Sequence, residues 1–142
     1  MGSITDYRIA PRVIKQYLDS RMTFWLEPLG LQGSSGQYLM AVCFNPGASM
    51  KEIAACLMVD KSITTRTVGT LIDKGFVRND SGDPRRYSLM LTDEGERAII
   101  TIEDALNKVW GEILSDLSEE ELSVFKSACM KINAKFCEEA KN

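Results

Sequence analysis

The side chains best equipped for chemistry lie between Asp60 and Thr92, in the stretch DKSITTRTVGTLIDKGFVRNDSGDPRRYSLMLT. It carries hydroxyls at Ser62, Thr65 and Thr70 and guanidiniums at Arg66, Arg78, Arg85 and Arg86. A guanidinium forks onto a phosphate or onto guanine O6 and N7, and a hydroxyl can serve either partner. Catalysis has little to work with. The chain contains no histidine, which removes Ser-His-Asp arrangements and most zinc sites. Cys43, Cys56, Cys129 and Cys137 show no CxxC spacing, and each falls in an apolar helical pattern, as small buried hydrophobes do. No enzyme activity, metal or cofactor is expected.

Charge is unevenly spread. The net charge is −3, yet Lys61 to Arg86 holds six bases against three acids, while Ala98 to Asn142 holds five bases against nine acids. A polyanion would accept the middle of the chain and repel its acidic C-terminal arm. With 142 residues, 44% of them apolar and 26% charged, the chain fits one domain or a small domain with helical extensions. No apolar run approaches membrane-spanning length, and no basic segment followed by an apolar one opens the sequence, so a cytoplasmic location is expected.

Helices and turns must position the donor groups. Val13, Ile14, Tyr17, Leu18, Met22, Trp25 and Leu26 recur at helical spacing and predict a first helix from about Tyr7 to Glu27, ended by Pro28 and Gly30. Gly33 to Gly36 reads as a turn before a second helix, Gln37 to Phe44, which Asn45-Pro46-Gly47 stops. Ser49-Met50-Lys51-Glu52 is a capping box that opens a third helix. Asp60 suits the N-cap of a fourth, Lys61 to Lys74, ended by Gly75. Two helices joined so tightly form a helix-turn-helix unit. Phe76 to Arg78 and Tyr87 to Leu91 read as paired strands around the loop Gly82-Asp83-Pro84-Arg85-Arg86. Thr92 caps a fifth helix to about Leu114, and Ser118-Glu119-Glu120-Glu121 is a second capping box, opening a sixth.

The predicted fold is therefore mostly α with a small β-hairpin wing: a winged helix-turn-helix with N- and C-terminal dimerisation helices. Residues 33–97 form the winged lobe, and residues 1–32 and 98–142 the helical dimerisation region. The fifth helix is apolar on more than one face, and Leu122, Phe125, Cys129, Ile132 and Phe136 give the sixth a heptad-like seam. Such helices call for a second copy to cover them.

Advancing 100° per residue places Thr64, Thr67, Val68 and Leu71 on the inner side of the fourth helix. Ser62, Arg66, Gly69 and Asp73 face outward, flanked by Ile63, Thr65 and Thr70. So small and uncharged a face suits close approach to double-stranded DNA in the major groove, with the hairpin on the flanking backbone or minor groove. Arg66 can fork onto guanine or pair with Asp73. Ser62 and Thr65 can bond bases or phosphates, Ile63 can meet a thymine methyl or pack inward, and Lys61 can hold a phosphate. In the wing, one of Arg85 and Arg86 can pair with Asp83 to shape the hairpin and leave the other free for DNA, with Arg78 at the hairpin base.

At these residues the chain resembles the MarR (multiple antibiotic resistance regulator) family of transcription factors. Asp60-Lys61-Ser62, Thr65-Arg66, Leu71, Lys74-Gly75, Asp83-x-Arg85-Arg86 and Leu91-Thr92-Asp93-Glu94-Gly95 carry the resemblance, with Leu29-Gly30-Leu31 ahead of the second helix. The resemblance implies a triangular homodimer on a pseudo-palindromic operator. It also implies a small effector, often phenolic or otherwise aromatic, between the dimerisation helices and the winged lobe. Peroxide-sensing members carry a cysteine near the N-terminus and zinc-sensing members use histidine; this chain has no cysteine before Cys43 and no histidine. A hydrophobic-ligand sensor remains, with Met22, Trp25, Tyr38 and Met40 as candidate pocket residues or plain helix core. Two other functions fit the same residues: a winged-helix module that binds protein through its acidic arms, and a regulator switched by thiols at Cys43 or Cys56.

Overall fold

The computed structural model describes residues 11–140. The predicted start of the first helix at Tyr7 lies outside them. Helix α1 (Pro11–Leu26) runs into a 3-10 turn, Glu27–Leu29, and then come α2 (Gly33–Phe44), α3 (Met50–Leu57) and α4 (Lys61–Asp73). Strands β1 (Val77–Asn79) and β2 (Leu89–Leu91) form an antiparallel hairpin, pairing Val77 with Leu91 and Asn79 with Leu89. Helices α5 (Asp93–Ile113) and α6 (Glu119–Ala140) complete the chain. The mostly helical winged architecture is the one expected.

Local chemistry sets most of the boundaries. The Ser49 hydroxyl accepts from the Glu52 amide at 3.1 Å, and the Glu52 carboxylate accepts from the Ser49 amide at 2.8 Å, closing the capping box of α3. The Ser118–Glu121 box opens α6 in the same way. Asp60 caps α4 by accepting from the Ser62 amide at 2.7 Å. Gly75, with φ at +84°, ends α4 in the left-handed conformation that costs glycine least. Between α3 and α4 the left-handed residue is Met58, at φ +55°, which makes a turn tight enough for α4 to begin three residues on.

Helix α2 begins at Gly33, four residues earlier than the sequence predicts, and the reason is tertiary. A Cβ on Gly33 would lie 2.1 Å from the Asp19 carbonyl oxygen, and one on Gly36 would lie 3.3 Å from Leu26. The two glycines let α1 and α2 approach closely, and the contact outweighs their poor helix propensity. The Gly33 amide donates to the Thr23 hydroxyl at 2.7 Å. Strand β1 has its predicted length but starts one residue later, because the buried Phe76 donates its amide to the Leu71 carbonyl, and β2 alone is shorter than predicted, the Ser88 amide donating to the Asn79 side chain.

The core lies where α1, α2, α3, α4, α5 and the hairpin meet. Leu26, Leu39, Ile53, Val68, Leu89 and Val109 are fully buried, each contributing roughly 1.5–3 kcal/mol. Helix α6 is different. Among the described residues it has no substantial packing partner, and Val124, Met130 and Ile132 are 70%, 73% and 53% exposed. The side chain of Phe136, the last member of the predicted seam, lies outside the described residues.

Candidate nucleic-acid interface

Helix α4 stands with Thr64, Val68 and Leu71 buried, as its periodicity predicts, and Thr67 half-buried. Lys61, Ser62, Ile63, Thr65, Arg66, Thr70 and Asp73 are exposed. Its exposed hydroxyls are already committed. Thr65 Oγ1 donates to the Lys61 carbonyl at 2.9 Å, Thr70 Oγ1 to the Arg66 carbonyl at 3.1 Å, and Ser62 Oγ to Asp60 Oδ1 at 2.5 Å. The Ser62 hydroxyl and amide together hold the Asp60 carboxyl below its ordinary pKa. Arg66, by contrast, enters no ion pair among the described residues, and its alternative partner Asp73 stays separate.

Beside the first turn of α4 the wing encloses a groove of about 400 Å³, lined in part by Ser49, Lys51, Lys61, Thr65, Arg85 and Arg86. Arg85 is the wing arginine that meets Asp83: its amide donates to Asp83 Oδ1 at 2.9 Å and its Nε lies 3.4 Å away. At 89% side-chain exposure that pair shapes the loop and contributes little stability. Arg86 contributes backbone to the turn, its amide donating to the Asp83 carbonyl at 3.1 Å, and among the described residues its guanidinium makes no ion pair. Asn79 and Ser81 tie the rest of the loop together, the Asn79 side-chain Nδ2 donating to the Asp83 carbonyl at 3.1 Å and the Ser81 hydroxyl accepting from the Asp83 amide.

Arg78 stands apart from this groove. Its Nε donates to Asp80 at 2.6 Å and its Nη1 to the Leu91 carbonyl at 2.8 Å, and it borders a different hollow with Cys43, Asp93 and Glu96. The hydrogen bond to Asp80 raises its pKa further above the ordinary arginine value. These contacts give Arg78 a role in holding the hairpin base. Lys51, which the sequence reading passed over, joins the groove instead. Its signal was its place inside the capping box, which sets it at the start of α3 beside the wing.

A second hollow, of about 410 Å³, opens between α1, α2, α3 and α5. Of the four predicted pocket residues, Met22 and Met40 line it. Tyr38 is 3% exposed and belongs to the core, and Trp25 is turned toward Lys108, whose Nζ lies 4.4 Å from the ring centroid. Cys56, exposed at the end of α3, borders this hollow, while Cys43 borders the one beside Arg78.

A helix presented behind a three-residue turn and flanked by a basic hairpin defines a winged helix-turn-helix protein. The family model of the MarR family matches residues 29–86. YwoH, an HTH-type transcriptional regulator of Bacillus subtilis, is 32% identical over 101 residues, which cover 70% of this chain and 74% of that protein. The HTH-type transcriptional regulator BilQ of Clostridioides difficile is 29% identical over 98 residues, covering 68% of this chain and 66% of that one. The chain spans between half and three quarters of the length of the curated relatives it matches. A crystal structure of MarR superposes with a TM-score of 0.82 at 25% identity, over 89% of this chain and 94% of that one. A MarR-family regulator from Listeria monocytogenes complexed with 26mer DNA has the same fold, with a TM-score of 0.75 at 19% identity over 99% and 92% of the two chains. The chain belongs to the MarR family of transcriptional regulators.

Proposed function

We propose that the chain is a homodimeric repressor that binds a pseudo-palindromic DNA operator and is released by a small hydrophobic ligand. The observation that carries this reading is the groove beside α4, where Lys51, Lys61, Arg85 and Arg86 converge along a helix face that carries no acid until Asp73. Duplex DNA matches that arrangement: α4 enters the major groove while the cations neutralise flanking phosphates. The Listeria regulator of the same fold, complexed with 26mer DNA, supports DNA as the partner. Arg66 then reaches base edges, Lys61 and Lys51 hold phosphates, and Arg86 lies along the backbone or minor groove.

Residues 1–32 and 98–142 serve as the dimerisation region in this reading. The exposed apolar side chains of α6 support it, since a second copy would cover them. The hollow bordered by Met22 and Met40 offers room for an effector between those helices and the winged lobe. Among the described residues no helix is long and apolar enough to cross a membrane, which accords with work on the nucleoid in the cytoplasm.

Selection from a random DNA pool, followed by gel shifts across a salt series, tests the proposal. Four groove cations per protomer, eight in a dimer, give a slope of log K against log salt of up to about −7. Failure to retard any sequence at low salt would leave a protein-binding module as the surviving function.

A further inference from the structure

Resting on the DNA-binding reading, we infer that α4 recognises its half-site chiefly through thymine methyl groups, with Arg66 as the one side chain of the helix face that donates to a base. The inference comes from the direction of the hydroxyl protons. A threonine hydroxyl owns a single proton, and Thr65 and Thr70 each spend theirs on the carbonyl four residues back, at 2.9 and 3.1 Å. Ser62 spends its proton on the Asp60 carboxylate. None of the three can donate to a base without breaking a bond that the helix or its cap already uses.

With its proton spent on the preceding turn, each exposed threonine hydroxyl can only accept, and its methyl stands free for apolar contact. Ile63, 50% exposed on the same helix, adds a purely apolar contact. In the major groove thymine alone carries a methyl, so such a face reads T·A pairs by apolar contact. Arg66, which makes no ion pair among the described residues, supplies one guanine contact. The expected half-site is therefore one guanine amid methyl-bearing thymines.

The test uses the full chain and an operator obtained by selection. Each thymine of the half-site is replaced in turn by deoxyuridine, which removes only the methyl, and each duplex is measured with the parent protein, Thr65→Ser and Thr65→Val. Each contacted methyl should be worth roughly 4-fold in affinity, the equivalent of one buried methylene. Thr65→Ser keeps the hydroxyl and loses the methyl, so it should bind several-fold more weakly and no longer distinguish thymine from uracil at its position. Thr65→Val keeps a methyl and loses the hydroxyl, so it should bind about as well as the parent. The opposite ranking, or equal affinity for thymine and deoxyuridine throughout, would overturn the inference while leaving DNA binding intact. An empty selection would instead remove the DNA-binding reading on which it rests.

Discussion

Replacing Gly33 with alanine should destabilise the protein although it replaces a poor helix former with the best one. A Cβ there would meet the Asp19 carbonyl oxygen at 2.1 Å and Met22 Cβ at 2.9 Å. Cβ contacts essentially never fall below 3.0 Å, so α1 and α2 must part by 0.9 Å, the difference between 3.0 and 2.1 Å. That movement stretches the 2.7 Å hydrogen bond from the Gly33 amide to Thr23 beyond useful range, a loss of about 1 kcal/mol. Overpacking of a close helix contact adds about 1–3 kcal/mol. Better helix propensity returns at most about 1 kcal/mol. The net expectation is a loss of about 2 kcal/mol, or a fall of about 7 °C in Tm for a chain of this size. Gly69→Ala is the control, because a Cβ at that position of α4 meets nothing within 4 Å. It should stabilise by about 0.5–1 kcal/mol. Urea titration followed by circular dichroism, at one fixed protein concentration because a dimer's stability depends on it, measures both. A Gly33→Ala protein as stable as the parent would refute the claim that this missing Cβ sets the α1–α2 distance.

Four further outcomes follow from the same geometry. Arg66→Ala should lose about 1–3 kcal/mol of operator binding and relax preference at one base position, whereas Arg86→Ala should weaken operator and random DNA alike; competition gel shifts separate the two patterns. Arg78→Ala, which removes the contacts to Asp80 and Leu91, should lower hairpin protection in hydrogen exchange more than it reduces the salt slope of DNA binding. Asp60 has a folded pKa below its unfolded value of about 3.9, so its contribution is full above that pH and fades as pH falls through the folded pKa. Asp60→Asn, which keeps an acceptor but no titrating group, should flatten the acid limb of the stability curve in urea titrations run from pH 5 downward. Ile132→Glu, placed on the exposed face of α6, should convert the proposed dimer to monomer in sedimentation without lowering the helix content of the winged lobe.

How far the fold was legible depended on how local its causes are. Ser49, Glu52, Asp60 and Thr92 act on amides two or three residues away, so their side-chain chemistry alone placed the starts of three helices. The Gly33–Gly36 segment read as a turn because its value as helix lies in a contact with Asp19 and Leu26, and neither partner is visible from the glycines themselves. The inner and outer sides of α4 came through because a 100° advance separates them cleanly. The fate of individual donors did not. Serine and threonine look equally free in a sequence, and only the geometry reveals that their protons are spent on Asp60, Lys61 and Arg66. Aromatic identity was equally silent about position: Tyr38 went to the core and Trp25 to a lysine, while the two methionines reached the hollow.

The junction between α4, the hairpin and α5 has a mechanical side. The Thr92 amide donates to the Phe76 carbonyl at 3.1 Å and its hydroxyl to the Gly75 carbonyl at 2.5 Å. Gly95 meanwhile leaves no room for a Cβ against that same Phe76 carbonyl, where one would sit 2.1 Å away. The first turn of α5 is thus clamped to the end of α4, and the wing strands lie between them. Helix α5 then extends 21 residues, an arm of about 31 Å at 1.5 Å per residue. A tilt of about 5° at its clamped end sweeps the far end through nearly 3 Å, and the same leverage runs in reverse. The end of α4, the base of the hairpin and the first turn of α5 thus share one junction, held by Thr92 and by the missing Cβ of Gly95.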